Sequence, residues 1–165
     1  MLIGLCGKKQ SGKSTVTNYL RQKHDFREVL WAHPIKEIIG KQLFGMDYDM
    51  LYGDNVAIRE APMTEWGKSP REILQLVGTE WFRNQIHPDF WVKYGLRKIK
   101  ELNPHKNHIV VSDCRFPNET NALKSRRGYI VRIIKEGQVS TDKHESETAL
   151  DNYEADYTIS APPGS

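Results

Sequence analysis

Apolar residues along this chain fall into short runs separated by amphipathic stretches. Leu2-Ile3-Gly4-Leu5-Cys6 reads as a buried strand, after which Val16, Tyr19 and Leu20 recur at helical spacing. Phe26 to Ala32 reads as a second strand. Pro34 then opens a helix through Ile35, Ile38, Ile39, Leu43 and Phe44, because its fixed φ suits the first helical position. Residues 45–68 read as irregular: they are rich in Gly, Asp, Asn and Pro, with Tyr48, Tyr52 and Trp66 interspersed. A loop of that length inside a compact domain suits a lid or a binding segment.

Ser69-Pro70-Arg71-Glu72 predicts a helix start, with a capping serine, proline in the first turn and glutamate completing a capping box. Ile73, Leu76, Val77 and Trp81 form its expected buried face. Asp89 is placed to cap a further helix with Val92, Leu96, Ile99 and Leu102 on one face. His108 to Ser112 is a third strand, ending at Asp113. A helix follows from Asn118 to Arg127 and stops at Gly128, and Tyr129 to Ile134 is the next strand. A polar segment through Lys143 leads to a short helix, and Tyr157-Thr158-Ile159 forms a last strand.

Strands alternating with helices build a parallel sheet covered on both faces, here of about five strands in an α/β, three-layer arrangement. Ligands of such sheets bind beyond the carboxyl ends of the strands. That rule gathers three stretches on one rim: Gly7 to Thr15, the Asp113–Arg115 turn, and the segment after Ile134. At 165 residues the chain has room for one such domain with a small insertion.

Composition narrows the function classes. Net charge is +3, with basic and acidic residues intermixed, which argues against a nucleic-acid surface and allows a small anionic substrate. No apolar run reaches the length of a membrane span, and the N-terminus enters a strand without a basic, cleavable leader. A cytoplasmic location is expected. Cys6 and Cys114 both lie beside strands and read as buried thiols rather than a disulfide.

The stretch Gly7-Lys8-Lys9-Gln10-Ser11-Gly12-Lys13-Ser14-Thr15 adds chemistry to this frame. It is Gly, four residues, then Gly-Lys-Ser, set between the first strand and the first helix, which is the context of a phosphate-binding loop. Glycines let the backbone wrap a phosphate, and the helix N-terminus contributes partial positive charge. Gly7, Lys9, Ser11, Gly12, Lys13, Ser14 and Thr15 are the expected contacts to the phosphates of a nucleoside triphosphate. Lys13 is placed to reach the β- and γ-phosphates, and the Ser14 hydroxyl to hold Mg²⁺.

Asp113 follows an apolar strand on the same rim, where a carboxylate binds Mg²⁺ through water or accepts a hydrogen bond from substrate. Arg115 carries a planar fork suited to clamping a phosphate. Lys13, Asp113 and Arg115 are the candidate catalytic residues. A surface ion pair or a helix cap is the competing reading of Asp113. Of the remaining cations, Lys36 stands out because it lies just beyond the second strand. Trp81, Phe82, Phe90 and Trp91 offer stacking surfaces for a base, though aromatics at helical spacing commonly pack a core. His144-Glu145-Ser146-Glu147 lacks metal-ligand spacing, and a helix N-terminus accounts for its acids.

Taken together, these blocks resemble the deoxynucleoside monophosphate kinases of large tailed bacteriophages, within the P-loop nucleoside monophosphate kinase superfamily. The resemblance spans nearly the whole chain. Its motifs are the Gly7–Thr15 loop, Pro34-Ile35-Lys36, Ser69-Pro70-Arg71 running to Gln75, and Leu76-Val77-Gly78-Thr79-Glu80. Phe90-Trp91-Val92-Lys93, Asp113-Cys114-Arg115 with Glu119, and His144-Glu145-Ser146-Glu147 complete them. It implies a P-loop kinase fold and transfer of the ATP γ-phosphoryl group to a deoxynucleoside 5′-monophosphate, with Mg²⁺. Lys36, Arg59, Arg71, Thr79, Trp91, Asp113, Arg115 and Glu119 would line the monophosphate pocket. Residues 45–88 would form an inserted monophosphate-binding segment, and residues 135–147, around 137–143 above all, a lid that excludes water.

Two departures from that pattern stand out. Gln10 replaces an arginine, so another cation such as Lys9 has to supply its charge, and Ser14 replaces an acid. In the family this region leads into a final helix, which the resemblance leads one to expect is missing after Ser165. ATP and a deoxynucleoside monophosphate are the expected partners of a monomer or homodimer, with neither nucleic acid nor membrane. The alternatives are a P-loop kinase of another small metabolite, such as a coenzyme precursor or an alcohol, and a non-catalytic ATP-binding switch. The Asn-Lys-x-Asp element of guanine-specific switches is absent from the sequence.

Overall fold

The computed structural model describes residues 1–53, 55–137 and 142–162. They group into two compact units, Met1–Trp31 with Val92–Ser165, and Ala32–Trp91. The segment 45–88 lies inside the second unit.

The first unit is built on five strands: β1 (Leu2–Cys6), β2 (Phe26–Val29), β3 (His108–Val111), β4 (Tyr129–Lys135) and β5 (Tyr157–Ala161). All neighbouring pairs are parallel, in the order β2-β3-β1-β4-β5. The uncharged β1 is central, with Gly4 opposite Val111 on one side and Ile130 on the other. Its sequence is apolar throughout because both faces are covered. Ile3 and Leu5 pack on one face with Val16 and Leu20 of helix α1 (Lys13–His24), together with Phe26, Val110 and Val131. Gly4 points to the opposite face, where a Cβ would stand 2.6 Å from Leu123 Cδ1 of a helix spanning Pro117–Lys124. Helices therefore cover both faces, as the element order predicts.

Three local expectations for this unit change. The second strand ends at Val29 rather than Ala32, because the Trp31 N–H donates to the Asp113 carboxylate at 2.9 Å instead of extending the ladder. The helix expected over 118–127 covers Pro117–Lys124. Its left-handed exit residue is Arg127 (φ 59) and not Gly128. Gly128 instead answers a close approach, since a Cβ there would lie 2.9 Å from the Leu123 carbonyl oxygen. Cys6 and Cys114 are both buried thiols whose pKa values burial pushes up.

In the second unit α2 (Ile35–Leu43) is wound with wide, π-type turns, closed by Phe44 N–H to the Ile39 carbonyl. The wider turn changes which residues face inward. Ile35 and Gly40 are buried, five apart, while Ile38 and Leu43 of the expected apolar face are exposed. Within 45–68, expected to be irregular, two one-turn helices form: α3 (Tyr48–Tyr52) and α4 (Val56–Glu60). The Asp47 and Asn55 side chains cap them. Met46, Leu51 and Ile73 make the local core.

The capping box at Ser69 and Glu72 forms as predicted and starts α5 (Pro70–Gln75). The chain then widens into a second π-wound helix, α6 (Leu76–Ile86), and goes on to α7 (Phe90–Glu101). Ile73 and Val77 are buried, but the change of pitch turns Leu76 and Trp81 outward. The Pro117–Lys124 helix is α8, and α9 is Glu145–Thr148.

Candidate active site

The Gly7–Thr15 loop leaves β1 at a residue that only glycine satisfies. Gly7 has φ 142, and an ideal Cβ would stand 2.3 Å from the Ile133 carbonyl oxygen. Gly12, at φ 99, sits at the N-cap of α1, and no side chain caps that helix. The N–H groups of its first turn therefore lack intrahelical partners and carry the positive end of the helix dipole. Ser14 and Thr15 lie exposed in that turn. Ser11 is 2% exposed, and its hydroxyl has no hydrogen-bond partner among the described residues. A buried hydroxyl in that state costs free energy unless a ligand completes it.

Lys13 folds back over the loop and donates to the carbonyls of Gly7 and Lys8, each at 2.7 Å. Burial, followed by the charge of Arg115, lowers its pKa to about 8, against the pull of Glu147, Cys6 and Asp113. The ammonium is thus charged near neutrality but short of compensating anions.

The carboxyl end of β3 supplies the second group. Asp113 accepts the Trp31 N–H through Oδ1, which fixes the carboxylate beside the strand end. Arg115 Nη1 donates to Glu147 Oε1 and to the Ser146 carbonyl. Burial acts to lower the Arg115 pKa, but the charge and hydrogen bond of Glu147, then Asp113 and Glu119, outweigh it and the net shift is upward. Glu119 is buried and accepts N–H bonds from Arg115 (2.7 Å) and Phe116 (3.0 Å). It shapes the backbone that carries Arg115.

Sequence reasoning missed a third contribution, from α9 and the residues after it. Glu147, whose side chain is 1% exposed, accepts the Lys9 N–H at 3.1 Å as well as the Arg115 guanidinium. Lys8 Nζ bonds the Glu147 carbonyl at 2.6 Å and the Asp151 carboxylate. The acids of His144–Glu147 had a sufficient local explanation in a helix start, and one does hold: His144 Nδ1 accepts the Ser146 N–H. Nothing in the linear spacing marks Glu147 as the partner of a residue 32 positions earlier. A pocket of about 260 Å³ opens here, lined by Gly7, Ser11, Arg115, Arg132, Lys135 and Glu147 among others. The loop, the Asp113–Arg115 turn and the end of β4 thus meet on one rim, as the strand-end rule predicts.

The remaining expected residues belong to the second unit. Lys36 Nζ lies 4.3 Å from the centroid of the Tyr52 ring. Thr79 is buried in α6. Trp91 is 5% exposed, donates Nε1–H to the Gly78 carbonyl at 2.7 Å, and packs against Phe82 and Phe90, so its indole serves that unit's core. Arg71 is half-buried. Arg59 holds its Nε buried, without a hydrogen-bond partner among the described residues, and Gln75 holds its Nε2 the same way. Two buried donors lacking acceptors are a feature that the sequence offered no means to see. Residues 138–141 of the expected lid lie outside the described residues, as do Pro163–Ser165.

Among the described residues no helix is long and apolar enough to cross a membrane. In fold the chain is similar to dephospho-CoA kinase from Campylobacter jejuni, with TM-score 0.52 and 15% identity over 99% of this chain and 89% of that one. A five-stranded parallel sheet of this order with a phosphate-binding loop after its central strand is the P-loop kinase fold. In sequence it is 35% identical to a protein of Acanthamoeba polyphaga mimivirus assigned as a deoxynucleotide monophosphate kinase. That match covers 91% of this chain and 82% of the relative. The deoxynucleotide monophosphate kinase of Enterobacteria phage T4 is 22% identical, over 96% of this chain and 91% of its own. A family profile described as deoxynucleotide monophosphate kinase matches residues 54–162. With that geometry and those relatives, the chain is a nucleotide kinase and belongs to the deoxynucleotide monophosphate kinase family.

Proposed function

We propose that this kinase transfers the γ-phosphoryl group of ATP to a deoxynucleoside 5′-monophosphate, giving ADP and the deoxynucleoside diphosphate. An oxygen of the acceptor phosphate attacks the γ-phosphorus, and the bond from that phosphorus to the β–γ bridging oxygen breaks. The acceptor oxygen is already anionic, so the step needs cations and alignment rather than a strong base. The observation that carries this reading is the pairing of two features on one rim: a buried, unpartnered Ser11 hydroxyl beside Lys13, and a guanidinium held facing the same pocket.

On this reading Gly7, Lys9, Ser11, Gly12, Lys13, Ser14 and Thr15 hold the ATP phosphates. The first-turn N–H groups and Ser11 hydroxyl complete the cradle, and Lys13 exchanges two carbonyl acceptors for phosphate oxygens. Arg115 neutralises charge on the transferring group. Arg115 and Asp113, with Glu119 setting the backbone at Arg115 and Phe116, also serve the acceptor monophosphate; in the second unit Lys36, Arg59, Arg71 and Thr79 are the proposed acceptor contacts. The buried donors of Arg59 and Gln75 support a ligand rich in acceptors in that second unit. Residues 135–147 act as the lid that keeps water from the phosphoryl group.

Mg²⁺ fits the donors on the rim. That ion keeps several waters and shares phosphate oxygens, so it asks little of the protein: the exposed Ser14 hydroxyl and, through water, Asp113. When bound it neutralises β- and γ-phosphate charge.

The test is ADP release, coupled to an optical signal, across a panel of ribo- and deoxyribonucleoside monophosphates, with and without chelator. Turnover with at least one deoxynucleoside monophosphate, lost on chelation and restored by Mg²⁺, is expected. No ADP release above background with any deoxynucleoside monophosphate would refute the assigned substrate.

A further inference from the structure

Glu147 stands at a junction that the phosphate-binding chemistry does not by itself require. One carboxylate joins two elements from different strand ends. Oε1 takes the Arg115 guanidinium after β3, and Oε2 takes the Lys9 N–H of the loop after β1. Both guanidinium bonds to protein leave from Nη1, the second going to the Ser146 carbonyl at 3.3 Å. Nε and Nη2 have no acceptor among the described residues, and the Arg115 side chain is 37% exposed. The guanidinium is therefore pinned along one edge and open along the other, which suits the bidentate geometry that phosphate prefers.

The backbone beneath Arg115 is fixed separately, by Glu119. Glu147 thus sets the side chain alone, and sets it relative to the loop. Lys8 adds a second tie, through Nζ to the Glu147 carbonyl and the Asp151 carboxylate, so α9 is held against the loop at two points.

We propose that Glu147 is the positioning residue of this enzyme: it holds the Arg115 fork in register with the phosphate-binding loop, so that one guanidinium edge meets the transferring phosphoryl group. This rests on the phosphoryl-transfer reading above. A misplacement of about 1 Å in such a group costs on the order of a hundredfold in rate. The effect of losing the Arg115 bond therefore falls on kcat, while affinity for ATP stays nearly unchanged in a variant that still offers the Lys9 N–H an acceptor, as Glu147→Gln does.

The experiment first requires wild-type turnover; its absence would count against the phosphoryl-transfer reading rather than against Glu147. In an active enzyme, Glu147→Gln is expected to lower kcat roughly 10- to 100-fold, with the dissociation constant of a non-hydrolysable ATP analogue changing less than about threefold. A kcat within twofold of wild type would overturn the proposal.

Rescue keeps the idea testable should that variant fold poorly. Arg115→Ala is compared with Arg115→Ala/Glu147→Leu, which removes both charges together and so leaves neither one buried alone. Added guanidinium ion should restore activity at least tenfold in the single variant, where Glu147 still seats it, and less than twofold in the double one. Equal rescue in both would refute a positioning role, because a merely structural Glu147 would not discriminate between them.

Discussion

Lys13 Nζ lies 2.7 Å from the Gly7 carbonyl oxygen, so the cation of the phosphate-binding loop closes back on the residue that opens it. Among the described residues two carbonyls and no carboxylate receive this ammonium, and burial with the nearby Arg115 charge lowers its pKa to about 8. The protonated form is the one that neutralises phosphate. In the free enzyme that form dominates below about pH 8 and is lost as pH rises through it. The pH profile of kcat/KM for ATP should therefore show an alkaline limb near pH 8. Bound phosphates favour the ammonium, so the limb in kcat should lie at higher pH. Lys13→Met should abolish turnover and remove the limb together with the activity. Initial rates from pH 6 to 10 decide the point, and a flat kcat/KM through pH 9 would refute the assignment.

Gly7 carries two constraints at once, a φ of 142 and the Ile133 carbonyl oxygen where a Cβ would stand. Gly7→Ala should destabilise the protein by about 2–4 kcal/mol, combining backbone strain with overpacking. Urea unfolding measures this. A loss under about 0.5 kcal/mol, the size of an ordinary surface change, would mean that the loop has an alternative path out of β1.

Gly95 of α7 lies against the Trp31 ring, with an ideal Cβ 2.0 Å from Cε3. Trp31 is fully buried and its indole N–H reaches the Cys114 sulfur at 3.5 Å, so it has little freedom to retreat. Gly95→Ala should cost about 1–3 kcal/mol. Trp31→Phe should relieve part of that cost, giving non-additivity in a double-mutant cycle. Strict additivity of the two changes would contradict the contact.

On the proposed function, in which the guanidinium serves the acceptor and the transferring group, Arg115→Ala is expected to raise KM for the deoxynucleoside monophosphate and to lower kcat. Loss of one charge-assisted pair is worth about 1.5–3 kcal/mol, or roughly 10- to 150-fold in kcat/KM for the acceptor. Steady-state kinetics at saturating ATP provide the readout. A change confined to the ATP KM would argue that Arg115 belongs to the donor side alone.

Legibility in the sequence followed the range of the forces involved. The Gly7–Thr15 loop, the Ser69–Glu72 capping box and β1, β3 and β4 were all readable, because each depends on neighbours within a few residues. The helical faces of α2 and α6 were not legible, for a specific reason. Their apolar spacing fits a 3.6-residue period, whereas the wide turns bury Ile35 with Gly40 and expose Ile38, Leu43, Leu76 and Trp81. The second strand was overextended because Trp31 gives its N–H to Asp113, 82 residues away.

By itself, then, the sequence determined the α/β order, the phosphate-binding loop and the rim on which its partners had to gather. All of these follow from local spacing and from the rule that ligands meet parallel sheets at the strand ends. The tertiary structure alone decided that burial lowers the Lys13 pKa to about 8 and that the Ser11 hydroxyl has no partner among the described residues. It alone decided that Glu147 joins Arg115 to the loop. Those properties depend on which charges and dipoles share a buried space, and the crossings of the sheet set that, not the distance along the chain.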